Sequence, residues 1–466
     1  IIYVCRHLYL ERRFLMNDFI IKLLDLKEKD LDFIESITKT ESSDFIIILK
    51  RSIQVCPHCG SLTDRIKDYK IRKLNHKVLI HSHSFIFYKQ RRYCCKDCGK
   101  SFVEYSPFTG TRHILTASTV INILNDLKPY TSTFSSVAKK YGVSVSTVVD
   151  IFDRHVQIKR KTLTHILCFD EFYFNRHAKK KYAFMIMDFS KKYIIDIVES
   201  RWSEDLYDYF FHIPLEERNQ VKYIIIDMYS NYKFIIHNFF KSAIICVDPF
   251  HVVKKVNDSL NQVRKRIMKK YSTDELKNSV DYKLLKSRYY IILKNEDSLN
   301  FEKFYYDRVL GYTTTELGLK ERILQINPIL NEAYKIKEEY INFNNENQET
   351  FDIDKKTKEF DSLIKRMKLS NIQEMIECAK TLTNRKQEIL NSFHWYDGRR
   401  LSNGPIEGKN NYIKKIISNA NGLSNFKRAR NKFIYSQNQY EKYLINENKE
   451  SIKRIGNYRG KYKKRK

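Results

Sequence analysis

Ile166-Leu-Cys-Phe-Asp170-Glu171 is a short apolar run that ends in a pair of acids. Two later segments repeat this pattern, Tyr223-Ile-Ile-Ile-Asp227 and Ala243-Ile-Ile-Cys-Val-Asp248. Short apolar runs bounded by charged segments are typical of buried strands, and they recur through residues 163 to 250. A carboxylate at the end of a buried strand is costly unless it is paired or binds a metal. This part of the chain therefore predicts a sheet with crossing helices whose strand ends carry functional acids.

Asp170 and Asp227 are the candidate catalytic acids in this pattern. In a ribonuclease-H-like fold the first and fourth strands are neighbours, so acids at their ends converge and can hold two Mg²⁺ ions for phosphoryl transfer. Glu171 directly follows Asp170 and points to the opposite side of the strand, so we expect at most a supporting position beside the site. Asp188 and Asp196 are interpreted as strand-end or solvated carboxylates.

A third acid is expected from a helix late in the chain. Leu401-Ser-Asn-Gly-Pro-Ile-Glu407-Gly-Lys-Asn410 can begin such a helix, because Ser402 or Asn403 can cap it and Pro405 suits its first turn. Glu407 then lies near the positive end of the helix dipole. From these residues alone, a first-turn glutamate that only stabilises the helix dipole is the preferred explanation of Glu407.

The region between these motifs, residues 253 to 395, is almost wholly helical in pattern. Pro328 can begin a helix in which apolar residues recur at three- and four-residue spacing: Ile329, Ala333, Ile336, Tyr340 and Phe343. Such a stripe is typical of core packing, and we assign it no function.

Two near-identical cysteine knuckles precede the acidic motifs, Cys56-Pro-His-Cys59-Gly60 and Cys95-Lys-Asp-Cys98-Gly99. Tetrahedral Zn²⁺ requires four soft ligands from two tight turns, and glycine permits each turn. Strand-like segments at Val78–His81 and Ser84–Tyr88 can form the hairpin of a zinc ribbon. We therefore predict Cys56, Cys59, Cys95 and Cys98 as zinc ligands and Cys94 as a free thiol.

Other polar residues of this module are interpreted as facing solvent or DNA. Four cysteines complete a zinc site, so the remaining candidates are not needed as ligands: His58, His76, His81 and His83. A basic flank is expected to contact DNA phosphates through Arg91, Arg92 and Lys100.

A helix-turn-helix is predicted in Phe134-Ser-Ser-Val-Ala-Lys-Lys-Tyr-Gly-Val-Ser-Val-Ser-Thr-Val-Val-Asp-Ile151. Ala138 suits a helix crossing, Gly142 suits the turn, and Val148 suits an anchor for the second helix. That helix would present Ser144, Ser146 and Thr147 to DNA. The alternative is an ordinary helical hairpin.

Composition points to a polyanionic partner. The 466 residues include 85 Lys and Arg against 55 Asp and Glu, a formal net charge of +30, although AT-rich codons can supply part of the lysine excess. No apolar run is long enough to span a membrane, and no secretory cleavage site follows the N-terminal residues, so we expect no membrane partner and a cytoplasmic location. The paired cysteines suit metal binding in a reducing compartment.

Taken together, these residues resemble the DDE transposases of bacterial insertion sequences, in particular the ISL-three family. The resemblance covers nearly the whole chain. Its most specific motif is Ser402-Asn-Gly-Pro-Ile-Glu-Gly-Lys-Asn410. The other matching motifs are Cys56-Pro-His-Cys-Gly60, Arg91-Arg-Tyr-Cys-Cys-Lys-Asp-Cys-Gly-Lys-Ser-Phe102, Phe169-Asp-Glu171, Ile226-Asp-Met228 and Asp248-Pro-Phe-His-Val-Val253.

The resemblance implies a catalytic triad of Asp170, Asp227 and Glu407 that binds Mg²⁺ or Mn²⁺. It also places His251 near the active site, where a phosphate contact and core packing are both open. The implied fold is α+β and multidomain, with a zinc ribbon, a helix-turn-helix and a ribonuclease-H-like core interrupted by an all-helical insertion. The predicted domains are a leader and helix (1–50), the zinc ribbon (51–105), the helix-turn-helix (112–157), the first part of the core (163–267), the insertion (268–395), the last part of the core with the third acid (396–445) and a basic tail (446–466).

The implied function is transposition. The protein would bind double-stranded DNA at the terminal inverted repeats of an element, cleave it and join it to target DNA, as a homodimer or higher assembly in the bacterial nucleoid. Two alternatives remain at this point: a zinc-ribbon and helix-turn-helix transcriptional regulator without catalysis, and a ribonuclease-H-like nuclease that acts on RNA or Holliday junctions.

Overall fold

In the computed structural model the described residues are 26–438, with gaps at 41, 80–81, 111–112, 175–179, 229, 272, 346–351 and 421–422. The leader, most of the predicted N-terminal helix and the basic tail lie outside these residues. The described chain forms two compact units, one made of 26–158, 418–420 and 431–438, the other of 159–417 and 423–430. Within the described residues, none of the helices combines the length and apolarity needed to cross a membrane.

The first unit begins with β-structure, preceded by a 3₁₀ turn at Glu28–Asp30. Its strands are β1 (Leu31–Thr38), β2 (Ser42–Leu49), β3 (Gln54–Val55), β4 (Leu62–Thr63), β5 (Ile66–Leu79), β6 (Ser82–Cys94) and β7 (Ser101–Val103). One sheet has the order β1-β2-β6-β5, with β7 beside β6, and β3 and β4 form a separate hairpin. Alternation along β6 buries Ile86 and Tyr88 against Phe45, Ile47 and Leu74. The hairpin predicted between the cysteine knuckles is confirmed and is the long β5–β6 pair.

The N-terminal helix prediction is wrong for Leu31, Phe33 and Ile34. These residues lie in β1, which pairs antiparallel with β2. A few apolar residues cannot distinguish helix from strand periodicity. The strand predicted for the β-rich run Phe45-Ile-Ile-Ile-Leu49 is confirmed as part of β2, with which β1 pairs. The predicted boundary at residue 50 consequently divides a region that the structure joins in one sheet with β6.

Three helices follow β7 in the first unit, α1 (Ala117–Asp126), α2 (Phe134–Tyr141) and α3 (Val145–His155). Side chains of Thr116, Thr133 and Ser144 cap their N-termini. The α2 helix ends at Gly142, whose φ of 60° suits glycine, and a Cβ there would lie 3.0 Å from the His83 ring. The spacing argument is confirmed where it concerned packing, because Ala138 and Val148 are buried in the shared core.

Two residues far along the chain, Lys432 and Tyr435, contact this helical core. The Tyr435 hydroxyl donates to the Leu124 carbonyl at 3.0 Å, and its ring meets Phe152 edge to face at 5.9 Å between centroids. Lys432 donates to the carbonyls of Leu127 and Pro129 after the end of α1. The sequence pattern of residues 112–157 gave no sign of this contribution.

The second unit contains a five-stranded sheet of β8 (Ile166–Tyr173), β9 (Tyr182–Asp188), β10 (Ile194–Val198), β11 (Tyr223–Ile226) and β12 (Ile244–Val247). The order is β10-β9-β8-β11-β12. The β8–β9–β10 strands are antiparallel neighbours, whereas β11 is parallel to β8 and β12. Three helices connect these strands: α4 (Ser203–Phe211), α5 (Leu215–Asn219) and α6 (Ser230–Phe239). A buried aromatic group, including Phe169, Phe184 and Phe210, packs against one face.

A largely helical body follows β12. Its helices are α7 (Pro249–Met268), α8 (Asp274–Asn278), α9 (Val280–Ser287), α10 (Tyr290–Leu293), α11 (Glu316–Leu324), α12 (Pro328–Asn345), α13 (Ile353–Leu369), α14 (Gln373–Thr383) and α15 (Lys386–Asn391), with a 3₁₀ turn at Glu296–Ser298. Core packing of the predicted stripe is confirmed, because Ala333, Ile336, Tyr340 and Phe343 are buried.

The prediction of an all-helical insertion is wrong in two respects. Two hairpins interrupt the body, β13 (Tyr305–Asp307) with β14 (Tyr312–Thr314) and β15 (Trp395–Tyr396) with β16 (Arg399–Arg400). These strands are too short for a periodic signal, and tertiary contacts decide them. Furthermore, α7 starts at Pro249 and buries Val252 in the same core as the later helices, so the body begins before residue 268.

Two final helices, α16 (Gly404–Ala420) and α17 (Phe426–Gln437), follow the second hairpin. The predicted helix start at Ser402-Asn-Gly-Pro405 is confirmed, and Glu407 lies in the first turn of α16.

Candidate zinc site and candidate active site

The four predicted cysteines form one cluster. Cys56 Sγ lies 3.7 Å from Cys98 Sγ, and Cys59 Sγ lies 3.5 Å from Cys95 Sγ. All four sulfur atoms are within 4.8 Å of one another. Tetrahedral Zn²⁺ with Zn–S bonds of about 2.3 Å separates its sulfurs by roughly 3.8 Å. The cluster therefore fits a structural zinc ion.

Both knuckles have the same backbone pattern. Cys56 N donates to Ser61 O and Gly60 N to Cys56 O, and the equivalent bonds join Cys95 to Lys100 and Gly99 to Cys95. Gly60 and Gly99 have φ of 80° and 68°, a left-handed conformation that favours glycine. Cys94 is outside the cluster, and its sulfur contacts the Gly99 carbonyl at 3.6 Å.

The predicted basic flank divides into a buried and an exposed part. Arg91 is buried, pairs with Glu104 at 3.3 Å and donates to the Leu49 carbonyl at 2.7 Å. Its expected phosphate contact is therefore replaced by a structural role, because the Glu104 carboxylate and the Leu49 carbonyl hold its guanidinium in the interior. Arg92 is exposed and pairs with Asp68, and Lys100 is exposed.

The histidines near the knuckles also differ from one another. His76 is buried and its Nδ1 lies 3.0 Å from Thr116 Oγ1, so its predicted surface position is wrong. His83 is half-buried, and His58 is exposed as predicted. His81 lies outside the described residues.

Asp170 and Asp227 come from neighbouring parallel strands. The β8–β11 register pairs Leu167 with Ile224 and Cys168 with Ile225, and continuing it by two residues brings Asp227 level with Asp170. Both side chains are half-buried. Burial, together with the charges of Asp227, Glu171 and Glu407, raises the pKa of Asp170 to about 7, against the effect of the Glu171 amide. Neighbouring negative charges of this kind are stabilised by a bound divalent cation. Carboxylate oxygens are also the hard ligands that such a cation prefers.

Glu171 is held away from this pair. It accepts hydrogen bonds from Arg201 and Tyr232, while its own amide donates to Asp170 Oδ1 at 2.8 Å. The supporting position of Glu171 beside the site stays a prediction.

Asn410, three residues after Glu407 on α16, also contacts Asp170. Its Nδ2 donates to Asp170 Oδ2 at 2.6 Å, and Asn410 itself is buried. Residues three apart share a helix face, so the first turns of α16 bring Glu407 and Asn410 to the same acid. Asn410 ends the Ser402–Asn410 motif, but its contact with Asp170 was not predicted.

Asn403 anchors the start of α16. Its backbone amide donates to Asp248 Oδ1 at 3.0 Å, and its side-chain Nδ2 donates to the Phe169 carbonyl at 3.1 Å. Its carbonyl accepts from the amides of Ile406 and Glu407. One residue therefore joins β8, the end of β12 and the turn that carries Glu407, which extends the simple capping role predicted for it.

Asp248 is a site residue that sequence reasoning left unassigned. It is 1% exposed, and burial raises the pKa of Asp248, with Glu407 adding to the rise and the Asn403 amide and His251 opposing it. His251 Nε2 lies 3.8 Å from Asp248 Oδ2 and 3.9 Å from Glu407 Oε1. The sequence pattern that predicted Asp170 and Asp227 also precedes Asp248, because each of these acids follows a short apolar run.

The two remaining acids have structural partners. Asp188 is a strand-end residue, as predicted, and accepts from the Lys191 amide. Asp196 is buried rather than solvated, and it accepts from Tyr209 at 2.8 Å and Arg430 Nε at 2.6 Å. The basic partner that makes its burial possible is distant in sequence, which is why local reasoning missed it.

We expect Asn403→Ala to lower the free energy of unfolding by about 1–3 kcal/mol, because it leaves a buried carbonyl without its donor. Urea denaturation measures this change. The matched control is Asn238→Ala, which removes a similar bond to the Phe234 carbonyl on an exposed helix surface and should cost no more than about 0.5 kcal/mol. Equal losses for both variants would contradict the anchoring role.

Comparison with known proteins gives matches over both units. Residues 167–433 match the model of the ISL3 type of DDE transposase, described as "Transposase". Residues 53–98 match a model described as the zinc-finger of transposase IS204/IS1001/IS1096/IS1165. The first match contains Asp170, Asp227, Asp248 and Glu407, and the second contains the four clustered cysteines.

One curated relative is the "Transposase for insertion sequence element IS1001" of Bordetella parapertussis. It is 22% identical over 255 residues, which are 53% of this chain and 60% of the relative. The aligned part thus spans less than two thirds of that relative's length.

Proposed function

Because the chain belongs to the ISL3 family of DDE transposases, we propose that it binds the terminal inverted repeats of an insertion sequence and catalyses metal-dependent DNA strand cleavage and transfer. The observation that carries this proposal is geometric. Adjacent parallel strands bring Asp170 and Asp227 level with each other, and Asn410, one helical turn after Glu407 on α16, donates to Asp170. These acids come from two adjacent strands and a helix start widely separated in sequence, and their carboxylate oxygens are the hard ligands that divalent cations prefer.

We assign the second unit to a ribonuclease-H-like fold. Support comes from its strand order, β10-β9-β8-β11-β12, with three antiparallel strands followed by two parallel ones. In this fold Asp170 and Asp227 belong to the first and fourth strands. The body between α7 and α15 is the insertion that separates Asp227 from Glu407.

In the proposed reaction, Asp170, Asp227 and Glu407 hold Mg²⁺ or Mn²⁺. A bound divalent ion supplies Lewis-acid activation of the attacking and leaving oxygens. Asn410 orients Asp170, and Asn403 fixes the α16 turn that carries Glu407. Water first attacks a phosphodiester and releases a 3′-hydroxyl, which then attacks a phosphodiester of target DNA and displaces its 3′ oxygen.

We assign DNA recognition to the first unit. The α2–Gly142–α3 arrangement suits a helix-turn-helix, in which the N-terminus of α3 enters the major groove. Ser144 and Ser146 are exposed there, and Thr147 is half-buried. Arg92 and Lys100 remain proposed phosphate contacts beside the zinc cluster. Pairing of two element ends would bring at least two copies of the chain together on DNA.

Ser146→Glu should weaken binding of element-end DNA by about tenfold or more, because the new charge faces phosphates. Ser146 lies in the first turn of α3, where a carboxylate favours the helix dipole, so the loss is not expected to reflect unfolding. Fluorescence anisotropy at fixed salt measures affinity. Ser135→Glu makes the same change in the first turn of α2 and should leave affinity nearly unchanged; equal effects would contradict recognition by α3.

The proposal is tested with end-labelled DNA carrying the terminal repeats that flank the gene. We expect Mg²⁺-dependent cleavage at the repeat ends and none in a scrambled duplex. Sequence-independent cleavage would instead favour a nuclease. Binding without cleavage under any divalent ion would favour a regulator, which needs only the first unit and leaves the converging acids unexplained.

A further inference from the structure

Asp248, His251 and Glu407 form a second group of possible metal ligands within the second unit. One donor atom from each lies within 4.8 Å of the others. Asp248 immediately precedes α7, His251 lies in the first turn of α7, and Glu407 lies in the first turn of α16. Two helix starts therefore bring an imidazole and two carboxylates together.

The Asp248 carboxylate gives an independent indication of a ligand. Its Oδ1 accepts from the Asn403 amide. Its Oδ2 is buried and accepts no hydrogen bond from the described residues, although the side chain is only 1% exposed. A buried carboxylate oxygen without a donor is costly. The nearest cationic candidate is His251 Nε2, at 3.8 Å, which is too long for a hydrogen bond.

The spacing fits an ion between these atoms. His251 Nε2 lies 3.8 Å from Asp248 Oδ2 and 3.9 Å from Glu407 Oε1. Ligands bound at about 2.0–2.2 Å are separated by roughly 3–4 Å. Direct hydrogen bonds would require shorter distances, whereas coordination needs only small side-chain adjustments. His251 and Glu407 are 31% and 38% exposed, so an ion can enter from solvent.

We propose that Asp248, His251 and Glu407 bind a divalent transition-metal ion such as Mn²⁺ beside the Asp170–Asp227 pair. An imidazole nitrogen with two carboxylates suits such ions better than Mg²⁺, which prefers oxygen ligands and retains its water. Binding of the ion follows from the ligand geometry. Its contribution to catalysis rests on the proposed function, because Glu407 would belong both to this ligand set and to the catalytic triad.

The test is electron paramagnetic resonance of Mn²⁺ added to the full-length, zinc-loaded protein without DNA. The wild-type protein should bind Mn²⁺ with ¹⁴N modulation from a coordinated imidazole. His251→Ala should abolish the modulation and weaken the binding by about tenfold or more, and Asp248→Asn should weaken it similarly. Asp170→Asn should retain the nitrogen signal.

His212→Ala is the matched control. His212 lies one helical turn from Asp208, at 3.7 Å, but both side chains are largely exposed, and this substitution should not change the Mn²⁺ spectrum.

Absence of nitrogen coupling in the wild-type protein would overturn the proposal whether or not any variant folds. Retention of the coupling in His251→Ala would overturn it as well. The proposed function is judged separately, because a protein that binds Mn²⁺ through nitrogen but does not cleave repeat-end DNA would retain the metal site and lose the transposase mechanism.

Discussion

Asp170→Asn and Glu407→Gln are each expected to lower the rate of DNA strand cleavage by about 10³-fold or more while DNA binding is retained. Each change replaces a charged oxygen ligand with an amide of nearly the same shape. End-labelled repeat DNA with Mg²⁺ or Mn²⁺ measures the rate. Asp208→Asn changes an exposed acid and should leave the rate near that of the wild-type protein. Cleavage at the wild-type rate by either variant would remove that residue from the mechanism.

The Asp170 variant also has a predicted effect on stability that excludes misfolding as the cause. The pKa of Asp170 is raised from 3.8 to about 7 in the metal-free fold, chiefly by burial. A carboxyl whose pKa is higher in the folded state makes the fold lose stability as pH rises from about 4 to 7. Asp170→Asn cannot ionise, so its metal-free form should be at least as stable as the wild-type protein at pH 8. Urea denaturation across this pH range, with metal removed from the second unit, checks the sign.

Cys95→Ser should remove the structural zinc ion. Loss of one thiolate disrupts the tetrahedral set, and structural zinc contributes directly to folding of its module. We expect zinc content to fall from about one ion per chain to nearly none, with loss of DNA affinity in the first unit. Metal analysis by mass spectrometry and thermal unfolding measure both changes.

Cys94→Ser is a closely matched control for this prediction, because Cys94 adjoins Cys95 but lies outside the cluster. It should retain zinc and thermal stability. Loss of zinc from Cys94→Ser, or full zinc content in Cys95→Ser, would show that the ligand set is different.

Strong local chemistry made the zinc cluster and the strand-end acids predictable. Paired cysteines with glycine at a left-handed turn have few other uses, and the structure brings their sulfurs together. Asp170 and Asp227 were predictable as candidate site residues because a carboxylate at the end of a buried apolar strand is costly unless it has a partner or binds a metal ion. Glu407 was not predictable from its residues alone, since a helix-start glutamate has an ordinary explanation.

Predictions were missing or wrong for residues whose environment depends on contacts distant in sequence. Arg91 was expected to face DNA, but it is buried and its guanidinium pairs with Glu104. Asp196 was expected at a strand end or in solvent, but it is buried because Arg430 pairs with it. Asp248 had the same local signal as the predicted acids, yet only the structure places it beside His251 and Glu407. In each case the deciding partner lies beyond the range of helix or strand periodicity.

We propose that this chain joins DNA ends to target DNA by chemistry at Asp170, Asp227 and Glu407. The most direct measurement is strand transfer in vitro, in which purified protein, a duplex ending in the flanking terminal repeat, a target plasmid and Mg²⁺ or Mn²⁺ are incubated together. We expect covalent joining of the repeat's 3′ end to the plasmid by the wild-type protein and none by Asp170→Asn. Absence of joined product from wild-type protein that binds the repeat and carries its zinc ion would rule out DNA strand transfer at these residues.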